Sequence, residues 1–307
     1  MPRYLDYEGR KKLRAWIRGN FLGKTERAAD AALLGGKPPE YYAGPPVNLL
    51  DNSNFRNPVN GRGSANISAQ YGYPIDRWMF DKNGSGTGAG YDADNKYLYI
   101  ANNATDGSWG ALYQGVPAEK IPTGTYTLAF HEKLIAPISL LCLVDDTTTV
   151  LPSAQYAPNG DGLVIATFNI QTAPSHKLLI AVYAEQGNTV SFDWAALYEG
   201  TYTADTLPPY TPRPYSVELA ECQRYYQPPY TRMVQAYFDG FAPLIPLFAV
   251  MRTTPTITDI SVKDIGGGEM AASILGGTTP YSCGVISVPS AVGGQWLYVT
   301  FAASAEL

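Results

Sequence analysis

The sequence has few charged residues and few cysteines, and each shortage excludes a class of protein. Charged side chains make up 16% of the chain, and the net charge is −5. Because nucleic-acid-binding domains are usually basic on one face, we expect no nucleic-acid partner. The three cysteines, Cys142, Cys222 and Cys283, are widely spaced and contain no C-x-x-C pair, which argues against a disulfide framework or a zinc site. We predict that they are small core residues of a protein that folds in a reducing cytoplasm.

Long apolar runs are also missing. The longest, Phe241–Met251, is interrupted by Pro243 and Pro246 and is too short to cross a bilayer. The first residues, M-P-R-Y-L-D-Y-E-G-R-K-K, lack the apolar stretch of a signal peptide. We therefore expect no membrane insertion.

Catalytic patterns are scarce. The only histidines are His131 and His176, and neither G-x-S-x-G nor H-E-x-x-H occurs, which argues against a catalytic triad or a zinc hydrolase. Two carboxylate pairs, Asp92/Asp94 and Asp145/Asp146, lie in turn-like contexts, where Asp more often caps backbone amides than acts as acid or base. We predict no enzyme, no catalytic residue, no cofactor and no metal.

Tyrosine, glycine and proline are abundant. The chain has 23 Tyr, and its 30 Gly and 24 Pro make 54 together. This composition is typical of a turn-rich, all-β protein.

The sequence predicts a mainly β fold in four parts. Residues 1–46 form a helical segment followed by a proline-rich linker; helical patterns cover residues 5–18 and 25–34. Residues 47–202 form a β-sandwich of the jelly-roll type, and residues 203–215 form a second proline-rich linker. Residues 216–307 begin with a short helix capped by Ser216 and continue as a C-terminal β-rich tip.

Apolar alternation predicts the individual strands. The glycine run at 83–90 lacks the Lys-Ser/Thr of a phosphate-binding loop and is predicted to be a mobile surface loop. The predicted strands are 97–102, 110–114, 126–132, 138–144, 162–170, 177–183, 190–198, 233–238, 244–251, 256–262, 271–275, 283–287 and 295–302.

The chain is organised around residues 47–78. They contain N-L-L-D-N-S-N-F-R-N-P-V-N and then Y-P-I-D-R-W, which is typical of the first strand and first corner of a sandwich. The partner stretch T-V-S-F-D-W-A-A-L-Y-E-G, near residue 190, is predicted to be the last strand. Val190, Phe192, Trp194, Ala196 and Tyr198 alternate along it.

These motifs resemble a jelly-roll module of bacteriophage and prophage tail-fibre and receptor-binding proteins. The stretches A-A-L-Y-E-G-T-Y-T-A-D-T-L-P-P-Y and V-E-L-A-E-C-Q-R-Y-Y resemble its exit into a C-terminal tip. The openings L-D-Y-E-G and A-D-A-A-L-L-G-G-K-P-P-E-Y-Y resemble a virion-attachment segment and a tail-fibre linker. The resemblance implies a homotrimer whose N-terminus attaches to baseplate, tail or capsid proteins. It also implies a virion component that folds in the host cytoplasm and becomes extracellular after release.

The resemblance extends to carbohydrate-binding modules with a similar jelly roll. Such modules often hold a structural Ca²⁺ between their first and last strands, and Asp193 matches the last-strand ligand. Arg56 stands where those modules usually carry an acid, and its positive charge would repel Ca²⁺.

Sugar rings stack on exposed aromatic side chains, while polar side chains bond their hydroxyls. Trp78 and Trp194 are predicted to be core residues. Trp109, in T-D-G-S-W-G, is the aromatic residue that we expect to be exposed on the sandwich. The predicted glycan-contacting residues are Trp109, Tyr91, Tyr230 and Tyr281.

The sequence thus predicts a phage tail-fibre or receptor-binding protein that binds a bacterial surface polysaccharide. One alternative is a purely structural fibre or decoration protein that binds no receptor. A glycan-degrading enzyme would need clustered carboxylates, which the sequence does not offer.

Overall fold

The computed structural model describes residues 11–12, 46–61, 71–134, 136–236, 240–242, 245–247, 249–276 and 278–305. The chain divides into two compact units, Met1–Val47 and Asn48–Leu307. In the first unit, Lys11 and Lys12 are helical and exposed. The rest of the two predicted N-terminal helices lies outside the described residues.

Residues 71–199 form two antiparallel sheets. One has six strands in the order β1-β2-β5-β10-β7-β8, and the other has five in the order β3-β4-β11-β6-β9. The strands are β1 Tyr71–Ile75, β2 Trp78–Asn83, β3 Thr87–Asp92, β4 Tyr97–Asn102, β5 Trp109–Pro117, β6 Gly124–Leu134, β7 Ile138–Val144, β8 Thr148–Tyr156, β9 Leu163–Ile170, β10 Lys177–Ala184 and β11 Thr189–Glu199.

The inward side chains of both sheets form one buried core. Trp78 lies at its centre with no exposed surface, as predicted, and meets Phe55 and Phe130 edge to face at centroid distances of 5.2 and 6.2 Å. Such aromatic pairs contribute about 0.5–1.5 kcal/mol each beyond burial. The mainly β prediction is confirmed, and the arrangement is a β-sandwich.

Residues 48–56 run beside the last strand, as the sequence predicts. The Leu49 N–H donates to the Leu197 carbonyl at 2.9 Å, and the Phe55 N–H donates to the Asp193 carbonyl at 3.0 Å. They do not form a regular strand, however, because the backbone turns at Asn52, whose φ is +49°. Asparagine tolerates this left-handed conformation better than most residues.

The stretch Ile75–Trp78 is a tight turn rather than the start of a strand. Ile75 ends β1, Trp78 begins β2, and the two residues pair with each other. Arg77, at φ +70°, occupies the turn. From the motif I-D-R-W we expected a strand to start at Ile75; this was wrong by three residues, because the next strand, β2, begins at Trp78.

The last strand departs from simple alternation. Register shifts on either side of Phe192 mark bulges in its pairing with β6. A bulge moves the following residues to the opposite face. As a result Ala195 and Leu197 join the core, while Trp194 lies partly exposed on the outer face. The prediction that Trp194 is a core residue was therefore wrong.

The glycine run does not end in a mobile loop, because Thr87–Asp92 is β3 and residues 87–91 are buried. Gly90 explains why glycine is needed: a Cβ there would lie 2.6 Å from the Tyr99 hydroxyl oxygen. We expected these glycines to provide flexibility, whereas Gly90 is required because the Tyr99 ring lies so close to its backbone.

The C-terminal part begins with helix α1, Tyr215–Gln223. Pro214 is the N-cap residue and no side chain caps the helix, so Ser216, which lies within the first turn, does not have its predicted role. Two further sheets follow, in the orders β12-β18-β14-β15 and β13-β17-β16. Their strands are β12 Tyr226–Gln235, β13 Phe241–Ala242, β14 Thr256–Asp264, β15 Glu269–Met270, β16 Ser273–Gly276, β17 Val285–Ser287 and β18 Trp296–Ser304.

A second apolar cluster, which includes Leu297, Val299 and Phe301, joins these two sheets. The predicted strand 244–251 is not present among its described residues, which contain only an isolated bridge between Pro246 and Ser282. Proline cannot donate to a strand ladder, which accounts for the interruption.

Residues 203–214 pack against the sandwich. The Tyr210 ring stacks on Trp194 at 4.7 Å and 8°, and the Tyr210 hydroxyl is 3.3 Å from that of Ser53. The proline-rich segment is therefore held in place along this stretch.

A charged junction connects the sandwich to α1; we define it as Asp51, Arg77, Lys120, Arg213 and Glu218. Asp51 is buried and accepts from three cations: Lys120 at 2.8 Å, Arg213 at 3.0 Å and Arg77 at 3.5 Å. Glu218 of α1 lies 3.5 Å from Arg213 and accepts the Asn52 N–H. Burial opposes ionisation of Asp51, but the charges of Arg77 and Lys120 and hydrogen bonds from Lys120 and Arg213 outweigh it and lower its pKa.

Candidate functional site

An aromatic cluster lies on the outer face of the six-stranded sheet. Along β5, Leu112 and Val116 face the core, so Trp109 and Tyr113 face outward. On the neighbouring β10, Tyr183 is opposite Ala111, between the two β5 aromatics. Strand alternation and register together gather Trp109, Tyr113 and Tyr183, which we call the aromatic cluster.

The three rings hold one another in a bent arrangement. Trp109 and Tyr183 are 5.9 Å apart at 72°, and Tyr113 and Tyr183 are 6.2 Å apart at 78°. The two tyrosine hydroxyls are 3.2 Å apart. These edge-to-face contacts fix the orientation of the rings without covering all of their surface.

Small residues make room for the tyrosine rings. Tyr183 is opposite Ala111, and Tyr113 is opposite Ala181. Both alanines belong to the outer face and are nonetheless buried, because the neighbouring rings cover them. Larger residues at these two positions would lift the rings from the sheet.

A cleft of about 500 Å³ opens beside Trp109 and Tyr183. The Ser139 hydroxyl donates to the Glu185 carboxylate, so one wall already carries an oriented pair of polar groups. The other polar side chains of the wall are Asn102, Ser108, Ser153 and Gln186.

The backbone around Trp109 is held firmly. Its N–H donates to the Asn83 side chain at 2.8 Å, and the Asp106 carboxylate accepts the Ser108 N–H at 3.0 Å. Trp109 is the first residue of β5 rather than part of the preceding turn, and its side chain is half-buried. The ring is therefore both positioned and partly accessible.

Desolvation keeps the phenols of the cluster neutral. Burial raises the pKa of Tyr113, with a further contribution from its hydrogen bond to Tyr183. Burial likewise raises the pKa of Tyr183. Both hydroxyls therefore stay protonated at physiological pH and can donate as well as accept hydrogen bonds.

The cleft has no positive charge. Glu185 is the single ionisable acid of its wall, and no Lys, Arg or His is found among the described residues that line it. The arrangement can offer ring faces, hydroxyls, amides and one carboxylate to a ligand.

The other residues predicted to contact glycans lie elsewhere. Tyr91 faces the sandwich core and is 8% exposed, because β3 places Ala89 and Tyr91 inward; its ring has no free face for stacking. Tyr230 is half-buried against Phe301 at 4.7 Å, and its hydroxyl donates to the Pro246 carbonyl at 3.0 Å. Tyr281 is 65% exposed and does not line the cleft.

The sequence analysis did not identify Tyr113, Tyr183 or Glu185. A usable signal was present for Tyr183, since the predicted strand 177–183 alternates with Leu178, Ile180 and Val182 inward. What the sequence could not supply was the adjacency of β5 and β10, which are separated by four intervening strands.

One member of each carboxylate pair caps backbone N–H groups, as predicted for such Asp residues. Asp92 accepts the N–H groups of Asp94 and Asn95 at 3.1 and 2.8 Å. Asp145 accepts those of Ser175 and His176, both at 2.8 Å.

Asp193, which matches a calcium ligand in the resemblance, is paired with Arg56 at 2.7 Å. The Arg56 guanidinium group is thus bound to the carboxylate that would face Ca²⁺. Within the part of the chain that the structure describes, no group of three or more His, Cys, Asp or Glu side chains is placed to hold a metal ion. Nor does any described helix have the length and apolarity needed to span a membrane.

No protein-family model matches the sequence, and no curated protein sequence matches it. Among solved structures, the chain is similar to a family 29 carbohydrate-binding module complexed with mannohexaose, at 12% identity and a TM-score of 0.29, over 50% of this chain and 91% of that one. A family 61 module in complex with β-1,4-galactotriose matches at 13% identity and 0.28, over 40% and 88% of the two chains. The adhesin domain of Epf from Streptococcus pyogenes matches at 12% identity and 0.30, over 83% and 92%. At these identities and scores, the similarity says nothing of what this chain binds.

Proposed function

We propose that the protein binds carbohydrate through the aromatic cluster and its cleft, and that it catalyses no reaction. The observation that carries this proposal is the half-buried Trp109 ring, held edge to face against Tyr183 at the mouth of a polar cleft. The C–H-rich face of a sugar ring matches such an aromatic surface. The carboxylate of Glu185, the amide of Gln186 and the hydroxyl of Ser153 can bond the sugar hydroxyls.

The geometry favours a particular kind of glycan. Because Trp109 and Tyr183 meet at 72°, they form a corner rather than a flat platform. A corner suits single sugar units or a twisted chain that touches one ring by its face and the other by its edge. It does not suit a flat crystalline polysaccharide surface.

The charge of the cleft favours a neutral glycan. Glu185 supplies a negative charge, and none of the described residues that line the wall is a cation. A uronic acid or phosphate group would be repelled by the carboxylate and would find no positive partner. Neutral sugars carry no charge that the Glu185 carboxylate would repel.

Trp109→Ala tests the proposal. Loss of one anchoring aromatic contact is expected to weaken binding by about 1–3 kcal/mol, or about 5- to 150-fold. The measurement is calorimetric titration with a panel of neutral hexaoses of glucose, mannose and N-acetylglucosamine, beside a matched panel of uronic-acid oligomers. Tyr281→Ala is the control, since that exposed aromatic residue does not line the cleft.

Thermal unfolding of the same variants separates binding from folding. A truncated core Trp typically costs about 3–5 kcal/mol of stability, whereas the half-exposed Trp109 should cost less. Lost binding with little change in unfolding supports the site. Unchanged affinity of Trp109→Ala for a binding hexaose contradicts it.

We further propose that the setting is a phage or prophage virion, where the protein contacts a bacterial surface polysaccharide and its N-terminus attaches to other virion proteins. The resemblance of residues 48–60 and 195–226 to tail-fibre modules supports this. Immunogold labelling of particles from a producing strain tests it, and label confined to free protein contradicts it.

A homotrimer is part of the same proposal. Exposed apolar side chains on the four-stranded C-terminal sheet support an additional contact: Met233 is opposite Tyr298, and their exposed fractions are 55% and 38%. Light scattering of the intact protein should give three times the chain mass. A monomer would remove the trimer.

A further inference from the structure

A second cleft with similar side-chain chemistry lies on the opposite sheet of the sandwich. Along β4, Leu98 and Ile100 face the core, so Tyr97 and Tyr99 face outward from the five-stranded sheet. Their rings are 6.2 Å apart at 75°, close to the 72° of the Trp109–Tyr183 pair. Two outward aromatic corners therefore lie on opposite faces of one domain.

Gly90 leaves open the space that the Tyr99 ring occupies. Gly90 of β3 is directly opposite Tyr99. A Cβ on Gly90 would lie 2.6 Å from the Tyr99 hydroxyl oxygen and 2.8 Å from its Cζ atom. The ring therefore lies across the β3 backbone, which is possible only because no side chain is present there.

The strand positions around this ring leave an open cleft of about 450 Å³, lined by Asp92, Ala93, Asp94, Tyr97, Tyr99 and Thr189. Asp92 is opposite Tyr97 on β3. The cleft thus combines two ring surfaces, two carboxylates and a hydroxyl, and no Lys, Arg or His is found among the described residues of its wall.

Asp92 is held ionised and oriented. Its carboxylate accepts the side-chain amide of Asn95 at 3.0 Å and two backbone N–H groups, and the Asn95 side-chain bond is the largest cause that lowers its pKa. Tyr97 also hydrogen-bonds this carboxylate, so protein groups take the roughly four acceptor positions of Asp92. The exposed Asp94 carboxylate of the same wall can accept sugar hydroxyls.

Lys133 supports the outer side of the aromatic pair. Its ammonium group lies 5.1 Å from the centroid of Tyr97 and donates to the Asn95 carbonyl at 2.7 Å. The ring and the Asp92 turn are thereby tied together, which limits the reorganisation needed on binding.

We propose that the cleft formed by Tyr97, Tyr99 and Asp92 is a second, independent carbohydrate site that takes neutral glycans, so that one chain contacts two glycan segments on opposite faces of the sandwich. The ligand class rests on the proposed function of the first cleft; the existence of the second cleft does not. The two clefts share no lining residue.

Stoichiometry per chain tests the proposal. Native mass spectrometry and calorimetric titration with the tightest-binding neutral hexaose of the panel should give two sites per chain for the unaltered protein. Trp109→Ala and the double variant Tyr97→Ala/Tyr99→Ala should each retain one site, and the triple variant none. Tyr281→Ala, an exposed tyrosine outside both clefts, should retain two.

Gly90→Ala is the sharper variant, because it removes none of the side chains that line the cleft. The added methyl group must displace the Tyr99 ring, so binding at the second site should fall at least tenfold while the first site is unchanged. Thermal unfolding of each variant identifies any that fail to fold. If Gly90→Ala does not fold, Asp92→Asn takes its place and should also reduce the count from two sites to one.

The outcomes separate the two clefts. One site per chain that Trp109→Ala abolishes overturns the second site and leaves the proposed function intact. One site that only the tyrosine double variant abolishes supports the second cleft and overturns the first. A protein that binds none of the neutral hexaoses overturns both.

Discussion

The sandwich and the C-terminal β-region, residues 226–305, are both built from antiparallel strands but differ in how they bury apolar surface. The sandwich encloses one core between two wide sheets, and of its described large apolar side chains only Tyr71 and Leu134 are exposed. The C-terminal region has narrower sheets and a smaller core. Its exposed large apolar side chains are Met233, Val250, Ile265, Leu275, Tyr281, Val292, Trp296 and Tyr298.

The difference indicates that the sandwich is self-sufficient whereas the C-terminal region depends on its surroundings. Small sheets bury too little area to offset chain entropy by themselves. Two kinds of support are available: the charged junction to the sandwich and, in the proposed trimer, other copies of the chain. Three substitutions test the junction, the sandwich and the C-terminal region in turn.

The largest effect is expected for Asp51→Ala, which removes the shared partner of Arg77, Lys120 and Arg213. The Arg77 side chain is 4% exposed, so its charge would remain buried without its carboxylate. Breaking a buried ion pair in this way costs about 3–5 kcal/mol. Denaturant unfolding should show this loss, and the C-terminal region should unfold before the sandwich.

Asp146→Ala is the matched control for this prediction. Asp146 pairs with Lys177 at 3.0 Å, but its side chain is 53% exposed, and exposed pairs contribute about 0–1 kcal/mol. Equal losses for the two variants, or a single transition for Asp51→Ala, would mean that the junction does not support the C-terminal region.

The second effect concerns the sandwich alone and depends on pH. Glu132 is 2% exposed; its Oε2 accepts the Ala136 N–H at 3.0 Å, and its Oε1 has no hydrogen-bond partner among the described residues. Burial raises its pKa from 4.5 to about 7. The folded state therefore binds a proton that the unfolded state releases above pH 4.5, so stability falls as pH rises from 4.5 to about 7 and is then constant.

Glu132→Gln should remove this slope. We expect the variant to be more stable than the unaltered protein by about 1–3 kcal/mol above pH 7, because no buried charge has to be avoided. The two proteins should be similar below pH 4.5. The check is the denaturation midpoint of the sandwich transition, measured for both proteins across pH 4–9. If the two curves of midpoint against pH stay parallel across the range, the prediction is wrong.

The smallest effect compares two tyrosines of the C-terminal region. Tyr230→Phe loses the hydrogen bond to the Pro246 carbonyl, and we expect a loss of about 1 kcal/mol in the C-terminal transition. Tyr281→Phe alters a side chain that is 65% exposed and should change stability by less than about 0.5 kcal/mol. If the order is reversed, Tyr281 is covered in the assembled protein.

Much of the fold could be predicted from alternation, because strands such as Ile138–Val144 place every second side chain in the core. Alternation failed where the period changes, as at the bulges beside Phe192 that turn Trp194 outward. It also failed at Gly90, because a glycine required by a neighbouring ring has the same sequence signature as a glycine in a loop. Both failures depend on contacts with another strand.

The candidate site was half predictable for a similar reason. Trp109 was predicted from its neighbours in the sequence, T-D-G-S-W-G. Its position at the start of β5 leaves the side chain partly exposed, as stacking on a sugar ring requires. Tyr183 of β10 and Glu185, which follows that strand, lie 74 and 76 residues after Trp109. Only the strand order brings them to it. Tyr91 looked similar to Trp109 in sequence but faces inward, because the face of β3 is set by the sheet.

The charged junction has a mechanical consequence. The chain enters the sandwich at Asn48, whose side chain bonds the backbone of Ala195 and Leu197, and leaves it past Arg213, whose guanidinium group donates to the Asn48 carbonyl and to Asp51. The points of entrance and departure are thus in direct contact. Tension applied between Asn48 and α1 would load these bonds in parallel and pass beside the eleven strands. A molecule pulled at these two points would therefore bear the load while its two sheets stay unstrained.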